Sequence, residues 1–195
     1  MVSEPNGGLS RIPAQEQLSV VALVIYIPEP LGRFLDDLRL ELVPACQPHA
    51  HVSVLPPRPV TGDWRPACEQ AREQAQQHAA FDVELTEIRV FRVTDVVYIE
   101  VGAGAQELRR MHAAMSSSGA LAFGEPFPYH PHITLAQNIQ QEELPALREL
   151  ASRRWQEYRG RRGFRAERAT FVQNTLSDCW VDLAAFSFGA AVVLR

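Results

Sequence analysis

Lysine is missing altogether: all nineteen residues of the Lys+Arg set are arginine. Its absence excludes a Walker-type phosphate loop, Schiff-base chemistry and the lysine-adenylate intermediate of an ATP-dependent ligase. Cysteine is scarce. Cys46, Cys68 and Cys179 stand far apart with no Cys-x-x-Cys pair, which argues against a disulfide scaffold or a thiolate zinc site and suits a reducing compartment. Long apolar runs are lacking too. The longest, residues 20–27, is about half of what a membrane span needs. The opening residues do not read as a basic segment, an apolar run and a cleavage site. A soluble cytoplasmic protein without membrane association is the expectation. Nor is there an excess of basic charge. The net charge is −4, so a nucleic-acid partner would have to be met locally rather than by the field of the whole molecule.

What is present is globular. A chain of 195 residues with 46% hydrophobic side chains has enough apolar surface for one domain, or two small lobes sharing a cleft. Residues 1–17 read as a loose polar tail and 18–195 as a single domain. Residues 19–27 are β-branched and apolar, as in a buried strand. Leu31, Leu35, Leu38 and Leu42 follow at helical spacing, and Pro44 closes that helix. A strand over 49–55 is stopped by Pro56 and Pro57, and Asp63 opens a helix running to about Ala79. Residues 81–93 and 96–101 alternate as an antiparallel pair. A helix over 106–116 carries Leu108, Met111 and Met115 as core, with His112 as an ordinary helix residue, like His78 in the helix before. A Ser/Gly/Pro-rich connector leads to a strand over 129–136, a helix over 141–158, and two last strands over 164–174 and 180–188. Short strands outnumber helices and several pair as hairpins, so the class is α+β rather than a doubly wound parallel sheet.

Two stretches carry the chemistry. His51-Val-Ser-Val and His132-Ile-Thr-Leu each run histidine, apolar, hydroxyl, apolar, 81 residues apart. In a strand, side chains two apart point the same way. His51 and Ser53 therefore share one face, as do His132 and Thr134, while the apolar partners turn to the other. An imidazole beside a hydroxyl, present twice, supplies a base, an acid and two hydrogen bonds to one anionic group. No cofactor is called for.

With Pro131 before the second histidine, the two tetrapeptides resemble the signature of the 2H phosphoesterase superfamily, which includes bacterial RNA 2′,3′-cyclic phosphodiesterases, also called 2′-5′ RNA ligases. The resemblance implies a bilobal fold with pseudo-twofold symmetry: two antiparallel sheets around a central cleft, with helices outside. It implies that His51 and His132 are catalytic, exchanging base and acid roles, and that Ser53 and Thr134 bind the phosphate. The partner would be RNA ending in a 2′,3′-cyclic phosphate, or a small cyclic nucleotide, bound by a monomer. Many bacterial members carry arginine shortly after the second motif, where this chain has Gln137. Arg58 is a candidate replacement, and Tyr129 and His130 are candidates to shape the pocket or stack on a base.

Two rival readings stand beside this one. His49-Ala-His51 and His130-Pro-His132 are His-x-His pairs of the kind that bind a divalent ion, although they leave Ser53 and Thr134 unexplained. A non-catalytic RNA- or nucleotide-binding module is the other, although binding alone does not require two proton-transfer groups. The arginine run from Arg153 to Arg168, with Trp155, Tyr158 and Phe164 among it, reads as the solvated end of a helix or as a non-specific guide for an RNA strand. Trp64 and Trp180 read equally as packing anchors or as stacking platforms.

Overall fold

The computed structural model describes residues 17–45 and 49–189. Nearly all of the expected polar tail, and Cys46, lie outside the described residues. The chain runs β1 (Gln17–Tyr26), α1 (Leu31–Leu42), β2 (His51–Pro59), α2 (Arg65–Gln76), β3 (Phe81–Phe91), β4 (Val96–Val101), α3 (Ala105–Ser116), β5 (His132–Ala136), α4 (Leu144–Glu157), β6 (Gly163–Ala166), β7 (Arg168–Thr175) and β8 (Trp180–Ser187). A short 3-10 helix, Gly119–Leu121, interrupts the connector before β5.

The strands form two four-stranded sheets, β2-β1-β7-β8 and β5-β4-β3-β6, and every pairing between them is antiparallel. The sheets are related in plan. In each, a strand leads through a helix to an antiparallel edge neighbour: β1–α1–β2 in one and β4–α3–β5 in the other. Both edge strands are the ones that carry the histidine motifs, and they meet each other between the sheets. The α+β, pseudo-twofold expectation is met.

Alternation explains which faces are buried. Val21, Leu23 and Ile25 of β1, Val52 and Val54 of β2, Ile99 of β4, and Ile133 and Leu135 of β5 all enter one continuous core. Leu31, Leu35 and Leu38 of α1 and Leu108, Met111 and Met115 of α3 close over it. Side chains of opposite parity on β1, Ala22 and Val24, form a small separate cluster with Val172 and Tyr26. That second face of the first sheet is the one that His51 and Ser53 share, through their pairing with Tyr26 and Val24. The turn into α3 depends on Gly104, whose φ is 86°; a Cβ there would stand 2.6 Å from the Asp82 carbonyl oxygen.

Several boundaries differ from the sequence reading. Pro56 and Pro57 do not stop β2, which continues to Pro59. An edge strand has one side free of ladder hydrogen bonds, and the β1–β2 register shifts near Leu23, so prolines are tolerated there. Trp64, not Asp63, is the N-cap of α2, although Asp63 Oδ1 still accepts from the Arg65 N–H at 3.1 Å. Tyr129 and His130 form an irregular lead-in to β5, and α4 begins three residues later than expected. The strand expected over 164–174 is two strands in different sheets: β6 pairs with β3 and β7 with β1, with Glu167 alone between them. The residues do not announce this crossing, because no Gly, Pro, Asn or Asp stands between Phe164 and Phe171 to mark a break. Among the described residues no helix is long and apolar enough to cross a membrane.

Candidate active site

The motif strands place their polar pairs as strand parity requires. On β2, His51 lies opposite Tyr26 and Ser53 opposite Val24 of β1. On β5, His132 lies opposite Glu100 and Thr134 opposite Tyr98 of β4. His51, Ser53, His132 and Thr134 are all half-buried, whereas the alternate residues Val52, Val54, Ile133 and Leu135 are fully enclosed.

Both histidines make the same local hydrogen bond. Nδ1 of His51 lies 2.8 Å from the carbonyl oxygen of His49, and Nδ1 of His132 lies 2.7 Å from the carbonyl oxygen of His130. A carbonyl only accepts, so each Nδ1 carries its hydrogen. This leaves Nε2 on each ring as the nitrogen available for proton traffic. In the His-x-His pairs, then, the first histidine supplies a main-chain oxygen to the second. Among the described residues no group of three or more His, Cys, Asp or Glu is arranged to hold a metal ion.

Burial dominates the electrostatics of both rings. It pushes His51 down to about 4, with the charges of Arg39, His49 and His132 adding to the effect and the hydrogen bond to His49 opposing it. His132 is also lowered by burial, while its hydrogen bond to His130 and the nearby Glu100 carboxylate hold it up. Both shifts favour neutral imidazoles. A phosphate bound between them would raise both, since an anion favours the protonated ring.

The expected accessory residues divide. Arg58 does not reach the cleft. It is 1% exposed, and its guanidinium donates to the carbonyl oxygens of Leu121 at 2.9 Å and Pro56 at 3.1 Å and to Glu125 at 2.5 Å. Its task is to fasten the end of β2 to the connector before β5, so the expectation of a phosphate contact is corrected. Tyr129 is half-buried, and both its hydroxyl and its ring are engaged within the fold. Its hydroxyl donates to the Ser53 carbonyl oxygen at 2.7 Å, and its ring lies flat on His112, 4.0 Å between centroids. The link joins the approach to the second motif directly to the first. His112 is more than an ordinary helix residue, because its Nε2 meets Glu125 at 2.8 Å. His130 Nε2 approaches Glu100 Oε1 to 2.8 Å without the alignment of a directed hydrogen bond. Gln137 is exposed just beyond β5.

Three of the seven arginines of the run are engaged in the fold, and Arg153, Arg159, Arg161 and Arg168 are exposed. Arg154 pairs with Glu41 at 2.6 Å, Arg165 with Asp82 at 3.2 Å, and Arg162 closes the end of α4 by donating to the Trp155 carbonyl oxygen at 2.6 Å. Trp64 packs against the core, whereas Trp180 is 36% exposed. Sequence reasoning missed Tyr26, Phe91, Tyr98 and Glu100. Their parity within β1, β3 and β4 was visible, but only the pairing register sets them beside the histidines.

The model of the family described as the 2′-5′ RNA ligase superfamily matches residues 27–177, a span that includes both motifs and the elements that carry them. The chain belongs to that superfamily. Its 2H phosphoesterase fold is shared with solved structures of very different sequence. Escherichia coli LigT in apo form is 12% identical with a TM-score of 0.61, covering 89% of this chain and 99% of LigT. LigT complexed with 3′-AMP gives the same identity and score, covering 90% and 99%. ATU0111 of Agrobacterium tumefaciens, described as a conserved protein of unknown function, is 14% identical with a TM-score of 0.55 over 96% of this chain and 95% of its own. No curated protein sequence matches the chain.

Proposed function

We propose that this 2H protein is a metal-independent phosphodiesterase that opens 2′,3′-cyclic phosphates, on RNA ends or small cyclic nucleotides, by paired-histidine acid–base catalysis. The observation that carries the reading is the repeated Nδ1–carbonyl hydrogen bond, which leaves two Nε2 atoms of the same tautomer on facing motif strands. In this reaction one neutral imidazole takes a proton from water as the water oxygen bonds to phosphorus. The bond from phosphorus to one ribose oxygen breaks, and the other, protonated imidazole delivers its proton to that oxygen. The two rings end with their protonation states exchanged and reset through solvent. Ser53 and Thr134 hydrogen-bond the non-bridging oxygens. Attack by a ribose hydroxyl in the reverse sense would give 2′-5′ ligation without ATP.

Turnover of 2′,3′-cyclic nucleotides and of a short RNA with a cyclic end, measured in EDTA, tests this. Wild type should open the ring, and His51→Ala and His132→Ala should each lose roughly 100-fold or more; the 2′- or 3′-phosphate product identifies the leaving oxygen. Wild type that is inactive in EDTA but revived by zinc or manganese would replace the reading with the His-x-His metal site. Binding of RNA without turnover under either condition would leave a binding module.

A further inference from the structure

We infer that each lobe carries its own base-stacking platform, His49 on Tyr26 in one and Phe91 on Tyr98 in the other, so that the groove takes an oligonucleotide with a base on either side of the phosphate. The inference rests on the phosphodiesterase reading and adds the size and chemical class of the ligand.

The observation is a repeated pair of rings. His49 lies flat on Tyr26, with centroids 3.5 Å apart and planes 4° from parallel. Tyr26 in turn presents its ring edge-on to His51 at 6.3 Å. In the second lobe Phe91 lies flat on Tyr98 at 3.9 Å and 15°. Both of these rings stand edge-on to His132, Phe91 at 4.9 Å and Tyr98 at 5.3 Å. Each proposed proton-transfer ring therefore has a two-ring stack as its immediate neighbour; Tyr26 and Tyr98 stand on strands related by the pseudo-twofold plan, while His49 precedes β2 and Phe91 ends β3.

The outer rings of these stacks, His49 and Phe91, lie outside the buried interior. His49 and Phe91 belong to neither apolar cluster, Tyr98 is 4% exposed and supports Phe91 from inside, and Tyr26 only borders the small cluster with Ala22 and Val24. His49 is exposed and Phe91 half-buried. Each stack thus ends in a ring that a third flat group can cover. Aromatic rings accept any base through its π-face, and one such stack contributes roughly tenfold or more to binding. A mononucleotide has one base and fills one platform. Two platforms about a phosphate site match a diester with a nucleoside at each end.

The test uses inhibition of 2′,3′-cyclic AMP hydrolysis by 2′-AMP, 3′-AMP and the dinucleotides 2′-5′ ApA and 3′-5′ ApA. At least one dinucleotide should bind about tenfold or more tighter than either mononucleotide. His49→Ala and Phe91→Leu should each remove about tenfold from the dinucleotide, with only one of the two weakening the mononucleotides. His49→Phe and Phe91→Tyr, which keep a flat ring, should restore tight binding. Equal affinity of mono- and dinucleotides, or equal losses for both ligand classes in both variants, would overturn the inference. Should wild type open no cyclic phosphate, the phosphodiesterase reading fails. Quenching of a dinucleotide labelled with 2-aminopurine, lost in His49→Ala and Phe91→Leu, then decides the platforms separately.

Discussion

Replacing Glu125 by leucine should destabilise the protein far more than its position in a connector suggests. Its Oε1 faces the Arg58 guanidinium at 2.5 Å, and the two side chains are 14% and 0% exposed. Burial already lowers the Arg58 pKa, against the stabilising effect of Glu125. Without the carboxylate, a cation is left inside with only the oxygens of Leu121 and Pro56 as acceptors. Breaking such a buried pair from one side costs about 3–5 kcal/mol, a fall in Tm on the order of 10 °C for a chain of this size. Arg58→Met should cost less, about 2 kcal/mol, because Glu125 keeps partial solvent access and its contact with His112. The double replacement should recover more than half of the larger loss, since it removes both charges together. Urea unfolding measures all three. At a temperature where Arg58→Met is fully folded, its KM for a 2′,3′-cyclic nucleotide should stay within about twofold of wild type, the expected result for a residue that makes no substrate contact. Unchanged stability with a KM raised tenfold would refute the argument and return Arg58 to the phosphate.

Other outcomes follow from the same geometry. Tyr129→Phe keeps the stack on His112 but deletes the hydrogen bond to the Ser53 carbonyl. It should cost about 1 kcal/mol of stability and lower kcat more than it raises KM; an unchanged kcat would show that the link does not align the motifs. Because the folded His51 pKa is about 4 against an ordinary 6.5, the unfolded chain takes up a proton between those values that the folded chain does not. Stability should therefore fall as pH drops through that window, by about 2 kcal/mol for a half-buried ring, and then level off. His51→Gln should flatten that fall in pH-dependent denaturation; an identical slope in both proteins would contradict it. Since both rings are lowered from the ordinary value, kcat/KM should peak on the acid side of neutrality. Glu100→Gln, which removes a charge that holds His132 up, should move that profile to lower pH.

Much of this was legible in the residues because it depends on periods of two and 3.6. The leucine spacing of α1, the methionine stripe of α3 and the His-x-Ser/Thr parity of β2 and β5 each appear as their local pattern predicts. What was not legible depends on partners distant in sequence. Arg58 follows Pro-Pro at a strand end and looks exposed until Glu125 and Leu121 close over it. His112 sits on a helical stripe like any other residue until Glu125 and Tyr129 arrive from the connector. Tyr98 and Glu100 become neighbours of Thr134 and His132 only through the β4–β5 register.

The crossing at Glu167 bears on how the groove can behave. One residue separates the last strand of the second sheet from a strand inside the first, and its carbonyl oxygen is held by the Phe188 N–H at 2.8 Å. A single residue offers two soft torsions, and both flanking strands are hydrogen-bonded into ladders. The lobes are therefore coupled like two plates folded from one strip, with no slack at the crease. At this crossing a clamshell motion can turn only about Glu167, against its bond to Phe188. The relative setting of the two motif strands is thereby tied to the torsions of one residue and to its bond with Phe188.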